Sequence, residues 1–366
     1  MENYQDTINR VEELLNDNPE WRNRYNDYIN DLNSKNLTAM KNARNHFYVP
    51  EPFHLYMNLS TAKNNSPSSN TINFELRFHG KSVAEVKFVP DGTDNVELIV
   101  KKPLKKLTRA FETAEMNVEL DRIISCSKVK NIKWNDENAR DFRKIYLELD
   151  KKINANIDVK KALGDPEHDL ECALLKNFSQ KSSVGKVLAN IQPVMMGDTN
   201  ARFQMPTPIK ASEAKKGPDS IKYSGEDGGG IDILARIGSG RATKLAVLEL
   251  KDKYSNSEPP EKVMHQAVAY ATFIRELLRS DCGSKWWKFF GFGGNIPSEF
   301  EIKALVVMPY DDRAKTDFGG DNIKFDFEKD VFKNDSITLG YIYIADNAAD
   351  SQICIDKKYS ATTLAR

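Results

Sequence analysis

The sequence predicts an α/β protein in two parts: an α+β domain over residues 1–155, then a mixed β-sheet flanked by helices over residues 156–366. Three observations predict this architecture. The 366 residues suit two domains of ordinary size. The first half passes from a helical pattern into three consecutive β-type runs. The second half alternates helical patterns with strands, which is typical of helices packed on a central sheet.

The N-terminal elements follow from apolar spacing and from turn residues. Residues 1–45 have a helical pattern, with Val11, Leu14, Leu15 and Trp21 as its apolar contacts. The polar tract 61–70 has nothing to bury and predicts a loop. The remaining elements are strands at Ile72–Phe78, Ser82–Val89 and Asn95–Lys101, and helices at about 104–116 and 137–151.

The second half begins with a well-marked helix start. Asp165 can accept hydrogen bonds from the first-turn amides, and Pro166 suits the first helical position, where no N–H is needed. An apolar stripe of Leu170, Leu174, Leu175 and Phe178 follows. The stretch 204–230 is long and irregular, which is typical of functional or mobile loops. The strands predicted at 301–308 and 338–345 complete the mixed sheet.

Charge and cysteine content exclude several classes of function. Lys and Arg total 53 and Asp and Glu total 53, so bulk charge cannot hold nucleic acid, and any such contact has to be local. No apolar run is long enough to span a membrane, and the polar, acidic start differs from a secretory signal. The scattered Cys126, Cys172, Cys282 and Cys354 predict a cytoplasmic protein without disulfides or zinc.

Two acids face each other across a predicted hairpin. Strands over 231–237 and 244–251 flank a turn that contains Gly238 and Gly240, and the midpoint of Asp232 and Glu249 falls inside that turn. Alternation places Ile231 and Ile233 on one face and Asp232 on the other. Directly opposed carboxylates repel, so this pair calls for a shared cation such as Mg²⁺ or for an unusual protonation state.

This hairpin resembles the core of the PD-(D/E)XK nuclease superfamily, which has the restriction-endonuclease-like fold. The matching residues are Asp232 and the tripeptide Glu249-Leu250-Lys251. The resemblance implies that Asp232, Glu249 and the backbone carbonyl of Leu250 bind the metal, and that Lys251 is catalytic. It also implies a further acid on the preceding helix, for which Glu171 fits better than Glu167. The literal Pro-Asp is absent, because Gly230 and Ile231 precede Asp232.

The following helix extends the resemblance. Gln266 and Tyr270, on a helix predicted over 261–279, are similar to the Gln-x-x-x-Tyr element of RecB-type members and share a helix face. A second Glu-x-Lys, at Glu85 to Lys87, lacks these companions and predicts a solvated strand face. The signal at residues 249–251 therefore depends on its companions.

Three other segments have more ordinary interpretations. The lysines of the segment 101–106 are expected on a solvated face, with phosphate contact as the alternative. The aromatic residues of the segment 286–292 are expected to pack in the core or at its edge rather than stack on bases. The glycines at 228–230 are expected to let a substrate approach the first strand of the hairpin.

The sequence thus predicts a Mg²⁺-dependent nuclease, with Mn²⁺ as a substitute metal and DNA rather than RNA as the substrate. A restriction or antiviral setting is what the resemblance suggests. One alternative is a silent module of this fold that binds nucleic acid or protein. Another is a nuclease gated by a partner or a small ligand. The N-terminal domain is expected to recognise or regulate, and assembly with further copies of the chain stays open.

Overall fold

A computed structural model describes residues 3–32, 38, 40–42, 52–59, 72–88, 96–101, 108, 121–125, 132–133, 136–155, 166–180, 190–195, 201–225, 228–251, 258–309, 324–327, 334–346 and 353–355. The predicted loop at 61–70, the Asp165 cap and the lysines at 102–106 lie outside these residues. So does the helix predicted over 104–116, apart from Thr108, which is helical.

The first sheet is built mainly from the N-terminal half. Helices α1 (Tyr4–Asp17) and α2 (Trp21–Asp31) precede strands β1 (His54–Leu59), β2 (Ile72–Phe78), β3 (Lys81–Phe88), β4 (Val96–Val100) and β5 (Ile132–Lys133), and helix α3 (Asp136–Ala155) follows. The strands run β5-β4-β3-β2-β1, all antiparallel. Its apolar face packs on α3, where Tyr146 contacts Phe78 of β2 and also Phe53, the residue before β1. The predicted strands of this half are confirmed.

The second sheet is mixed and has helices on both faces. In chain order its region contains α4 (Pro166–Phe178), β6 (Ile191–Pro193), β7 (Arg202–Gln204), β8 (Ile209–Lys210), β9 (Lys222–Tyr223), β10 (Ile233–Ile237), β11 (Lys244–Leu250), α5 (Pro260–Arg279), α6 (Gly283–Phe289), β12 (Glu301–Pro309), β13 (Lys324–Asp326), β14 (Ser336–Asp346) and β15 (Ile353–Ile355). The strand order is β13-β14-β12-β11-β10-β6, with β15 on β14. The predicted α/β class is confirmed.

Strand directions in this sheet follow the connections. β10 and β11 form an antiparallel hairpin, whose turn uses the positive φ of Gly238 and Gly240. β11, β12 and β14 are mutually parallel, and α5 lies in the connection from β11 to β12, as a parallel crossover needs. Leu248 and the apolar stripe of α4 share one core cluster, whereas Val247 and the buried residues of α5 share the other.

The hairpin departs from the predicted alternation at one point. Ile231 belongs to the core cluster of Val247, whereas Ile233 belongs to the cluster of Leu248, so the prediction that the two isoleucines share a face is wrong. Strand β10 begins only at Ile233. Before it, the N–H of Ile231 donates to the carbonyl of Met205 at 2.9 Å, which turns the chain before the alternation starts.

The two halves of the chain are closely joined. Strand β7 pairs in parallel with β1, at the edge of the first sheet. Helix α1 packs on α5, where Thr7 Oγ1 and His265 Nδ1 lie 2.7 Å apart in the core. The indole N–H of Trp286 donates to the carbonyl of Tyr25 at 3.1 Å. The domain boundary near residue 155 stays a prediction, but the N-terminal helices complete the core around α5.

The predicted aromatic cluster packs inside the protein. Trp286 is fully buried and Trp287 stacks on Phe292 with ring centroids 4.0 Å apart. The long stretch after β7 is also well packed, since Ile209, Ala211, Ala214 and Ile221 are fully buried. Core packing of the aromatic residues is therefore confirmed.

Candidate functional site

Asp232 and Glu249 lie side by side where the hairpin ends, as the position of the turn midway between them predicts. Ile233 pairs with Leu248, and the same register, continued by one residue, places Asp232 opposite Glu249. The backbone N–H of Leu250 donates to Asp232 Oδ2 at 2.8 Å. The partly buried Asp232 is thus fixed to the adjacent strand, beside Glu249.

Glu249 is a buried carboxylate with one oxygen left over. It is 1% exposed. Its Oε1 accepts a hydrogen bond from Lys251 Nζ at 2.9 Å, and its Oε2 finds no partner among the residues that the structure describes. Burial raises the pKa of Glu249 to about 7, against the lowering influence of Lys251 and of the adjacent Asp232 carboxyl, with which it can share a hydrogen bond when one of the two acids is protonated. A buried acceptor without a donor is costly and is typical of a ligand-binding position.

Asp232 and Lys251 respond to the same crowding of charge. Burial, followed by the repulsion of Glu249, raises the pKa of Asp232 well above its ordinary value. Burial alone would lower the pKa of Lys251, but the attraction of Glu249, Glu167 and Asp232 outweighs it and raises that pKa. The lysine, which is 8% exposed, is therefore a fixed positive charge within the acidic site.

Helix α4 brings two acids to this point. Glu171 is 2% exposed; its Oε1 accepts from the hydroxyl of Tyr56 at 3.1 Å and its Oε2 lies 3.0 Å from His168 Nδ1. Glu167, one turn earlier, lies 3.5 Å from Lys251 Nζ. Glu171 also contributes to the raised pKa of Asp232. The structure therefore brings both acids to the site, including the one that the sequence made secondary.

Helix α5 closes the opposite side. The side-chain amide of Gln266 donates to the hydroxyl of Tyr270 at 3.4 Å, and Tyr270 is 2% exposed. Burial raises the pKa of the Tyr270 phenol, and the charges of Glu249 and Asp232 raise it further. The hydroxyl therefore lies near both carboxylates and stays protonated, so it can act there as a hydrogen-bond donor.

The glycines before the hairpin serve internal packing. A Cβ on Gly228 would overlap the carbonyl oxygen of Thr207, and a Cβ on Gly229 would lie 2.5 Å from the Tyr270 hydroxyl. Packing within the chain is therefore sufficient to explain Gly228 and Gly229, and substrate approach at these glycines stays a prediction. They let the segment before β10 pass close to the backbone at Thr207 and to the Tyr270 side chain.

The second Glu-x-Lys, at Glu85 to Lys87, lies on strand β3 with its lysine exposed to solvent. Val86 is buried, Glu85 is half-buried and Lys87 is exposed. Glu85 pairs with Glu75 and Ile99 of the neighbouring strands. An acid therefore opposes Glu85 as well, but Glu75 is paired with Lys101 and Arg77, and Lys87 points to solvent.

Sequence reasoning missed Tyr56 and His168. His168 precedes Glu171 by three residues, so helical spacing could have found it. Tyr56 lies 115 residues from Glu171, and no local pattern links a strand of the first sheet to helix α4. Only the tertiary packing shows this contact.

The donor set suits a hard divalent cation only in part. Among the described residues no group of three or more His, Cys, Asp or Glu side chains is arranged to hold a metal ion. Two carboxylates nevertheless suffice for Mg²⁺, which keeps several waters, and the free Oε2 of Glu249 beside Asp232 offers an acceptor pair. The Leu250 carbonyl stays a predicted ligand, and Glu171 is already held by Tyr56 and His168.

Comparisons with known proteins give no relative. The chain matches no protein-family model, no curated protein and no solved structure. In the described part of the chain, no helix is both long enough and apolar enough to cross a membrane. The function has to be inferred from the geometry of the site.

Proposed function

We propose that this protein is a metal-dependent nuclease that hydrolyses phosphodiester bonds in nucleic acid, with DNA as the preferred candidate substrate. One observation carries the proposal: Glu249 is buried beside Asp232 and Lys251 with Oε2 unpartnered. A salt bridge between Glu249 and Lys251 alone would not require a second, partly buried acid beside it. A cation-binding phosphodiesterase requires both acids and the lysine.

The acids and Mg²⁺ suit each other chemically. Asp232 and Glu249 would hold the cation, with the Leu250 carbonyl and Glu171 as further candidate ligands and Mn²⁺ as a substitute. When bound, the cation would neutralise charge on the scissile phosphate and promote ionisation of a water molecule. Because Oε1 of Glu249 is occupied by Lys251 and Oε2 is not, a cation can join this carboxylate without displacing the lysine.

The side chains of the protein would then orient and stabilise the reacting groups. In hydrolysis the water oxygen bonds to phosphorus, the bridging P–O bond breaks and the departing oxygen takes up a proton. Lys251, fixed by Glu249 and Glu167, can stabilise the charge that builds on the phosphate. Tyr270 and Gln266 can donate hydrogen bonds from the α5 side.

A paired substitution tests the proposal. Purified protein is incubated with circular single-stranded DNA and with supercoiled duplex DNA, in Mg²⁺, Mn²⁺ or EDTA. We expect metal-dependent nicking or degradation that Lys251→Ala lacks, with a loss of roughly 100-fold or more. Lys87→Ala, the lysine of the other Glu-x-Lys, is the matched control and keeps full activity. Full activity in a folded Lys251→Ala protein would contradict the assignment.

The burial of the site favours a second candidate, a nuclease gated by a partner or ligand. Glu249 and Lys251 are 1% and 8% exposed, so a phosphate reaches them only after some opening. Calorimetric titration with Mn²⁺ separates the cases if no cleavage is seen. A gated enzyme binds Mn²⁺ and loses that binding in Asp232→Ala, whereas a silent module that binds nucleic acid or protein binds no metal in either form.

We place the protein in the cytoplasm on its scattered cysteines.

A further inference from the structure

Two arginines of the first sheet surround the tyrosine that holds Glu171. Tyr56 of β1 is in register with Arg202 of the edge strand β7. The guanidinium carbon of Arg77 lies 4.2 Å from the centroid of the Tyr56 ring, and that of Arg202 lies 5.6 Å from it. Because the Tyr56 hydroxyl donates to Glu171, both guanidinium groups lie one side chain away from the site helix.

Arg202 is a nearly buried cation with no direct ion pair to any acid that the structure describes. It is 7% exposed, and the one side-chain hydrogen bond that it forms among the described residues is long, 3.5 Å from its Nη1 to the Tyr56 hydroxyl. No carboxylate of the described residues forms an ion pair with it. Arg77, in contrast, lies 3.6 Å from Glu75 and donates to Gln204 at 2.9 Å. A buried, unpaired guanidinium is unfavourable, so an anion from outside the chain would stabilise it.

Besides the Glu171 carboxylate, which the Tyr56 hydroxyl bridges to Arg202, the charges that act on the His54 side of Arg202 are positive. His54 lies on the same face of β1, and its pKa falls to about 3 because of burial and then because of Arg202, Lys176 and His79. A cation in these positions is repelled by its neighbours. An anion is attracted by the same charges.

We infer that Arg202, supported by Arg77 and Tyr56, binds a backbone phosphate of a nucleic-acid strand that runs past Glu171. A planar guanidinium can donate two parallel hydrogen bonds to a phosphate. The choice of this ligand rests on the proposed function, since a phosphodiester substrate brings such groups to the site. The first sheet then supplies part of the substrate-binding surface.

Binding without cleavage tests the inference. Lys251→Ala protein, which keeps both metal-binding acids, is titrated in Mg²⁺ into fluorescein-labelled single-stranded DNA and into RNA of the same sequence, and anisotropy is recorded. Adding Arg202→Gln should raise the dissociation constant about 10–100-fold. It should also reduce the slope of log affinity against log salt by about one. Arg202→Lys, which keeps the charge, should recover part of the loss.

Arg122→Gln is the matched control, because Arg122 is an exposed arginine paired with Glu148. Equal affinity of Arg202→Gln and Arg122→Gln, or no binding of either strand by the Lys251→Ala protein, overturns the inference. Thermal unfolding checks each variant, and Arg77→Gln replaces Arg202→Gln if the latter does not fold. If the wild-type protein never cleaves nucleic acid but binds it in a way that depends on Arg202, the proposed nuclease activity is refuted and the phosphate site is supported. The DNA and RNA arms identify the strand.

Discussion

Glu249→Gln should remove a pH dependence from the stability of the metal-free protein. Burial raises the pKa of Glu249 from its ordinary 4.5 to about 7, so the folded state binds this proton more tightly than the unfolded state. The resulting stabilisation is fully present below pH 4.5 and is lost as pH rises through about 7. At about 1.4 kcal/mol per pH unit, the loss is about 3 kcal/mol.

The assay compares urea unfolding of wild type and Glu249→Gln in EDTA at pH 5 and at pH 8. A glutamine carries no charge, so burying it costs no additional free energy at high pH. The free energy of unfolding of the variant should therefore exceed that of wild type by about 3 kcal/mol at pH 8, and the two values should be closer at pH 5. Asp232, whose pKa is also raised, steepens the decline in wild type. Mg²⁺ or Mn²⁺ should restore stability to wild type at pH 8 and not to the variant.

Glu85→Gln is the matched control, since it makes the same substitution at a half-buried position of the other Glu-x-Lys strand. The difference between wild type and Glu249→Gln reports Glu249 together with its coupling to Asp232 and Lys251, and it cancels the titrations elsewhere in the chain. If the free energies of unfolding of the two proteins run parallel from pH 5 to pH 8, then Glu249 does not bear the buried charge described here. The buried charge at Glu249 would then be refuted.

Three further outcomes can be measured by urea unfolding. Gly228→Ala should lower the free energy of unfolding by about 1–3 kcal/mol, because the added Cβ meets the backbone at Thr207. In the control Gly293→Ala the added Cβ meets no atom within 4 Å, so stability should change by less than about 0.5 kcal/mol. Asp335→Ala should cost about 3–5 kcal/mol, because this fully buried acid accepts hydrogen bonds from Arg275 and a second arginine. Tyr56→Phe should cost about 1–3 kcal/mol by leaving a buried carboxylate short of a donor, and an unchanged midpoint would contradict that contact.

The hairpin register could be predicted because local chemistry determines it. The strands alternate with period two, and Gly238 and Gly240 supply the positive φ values of the turn, so one register satisfies both constraints. That register places Asp232 opposite Glu249 before any tertiary contact is considered. The apolar stripe of α4 and the existence of strands β12 and β14 could be predicted for the same reason.

Contacts between distant segments could not be predicted. The parallel pairing of β1 with β7 joins Tyr56 to Arg202, and no periodicity in either strand encodes its partner. Ile231 does not follow the alternation of the strand, because its N–H donates to the carbonyl of Met205 and the chain turns there. The packing of Gly228 against the carbonyl of Thr207 could not be predicted, because both residues lie in the irregular stretch 204–230, where no periodicity indicates contacts.

Holding two acids in this position is unfavourable without a ligand, and this is the strongest indication that the site binds one. Asp232 and Glu249 both carry raised pKa values, so each would be more stable exposed to water than where the fold holds it. Lys251 compensates only one oxygen of Glu249. A cation would compensate the remaining oxygen together with Asp232, and Lys251 would then be available to a phosphate. The same three side chains are therefore unfavourable alone and mutually consistent once a cation and a phosphate are present.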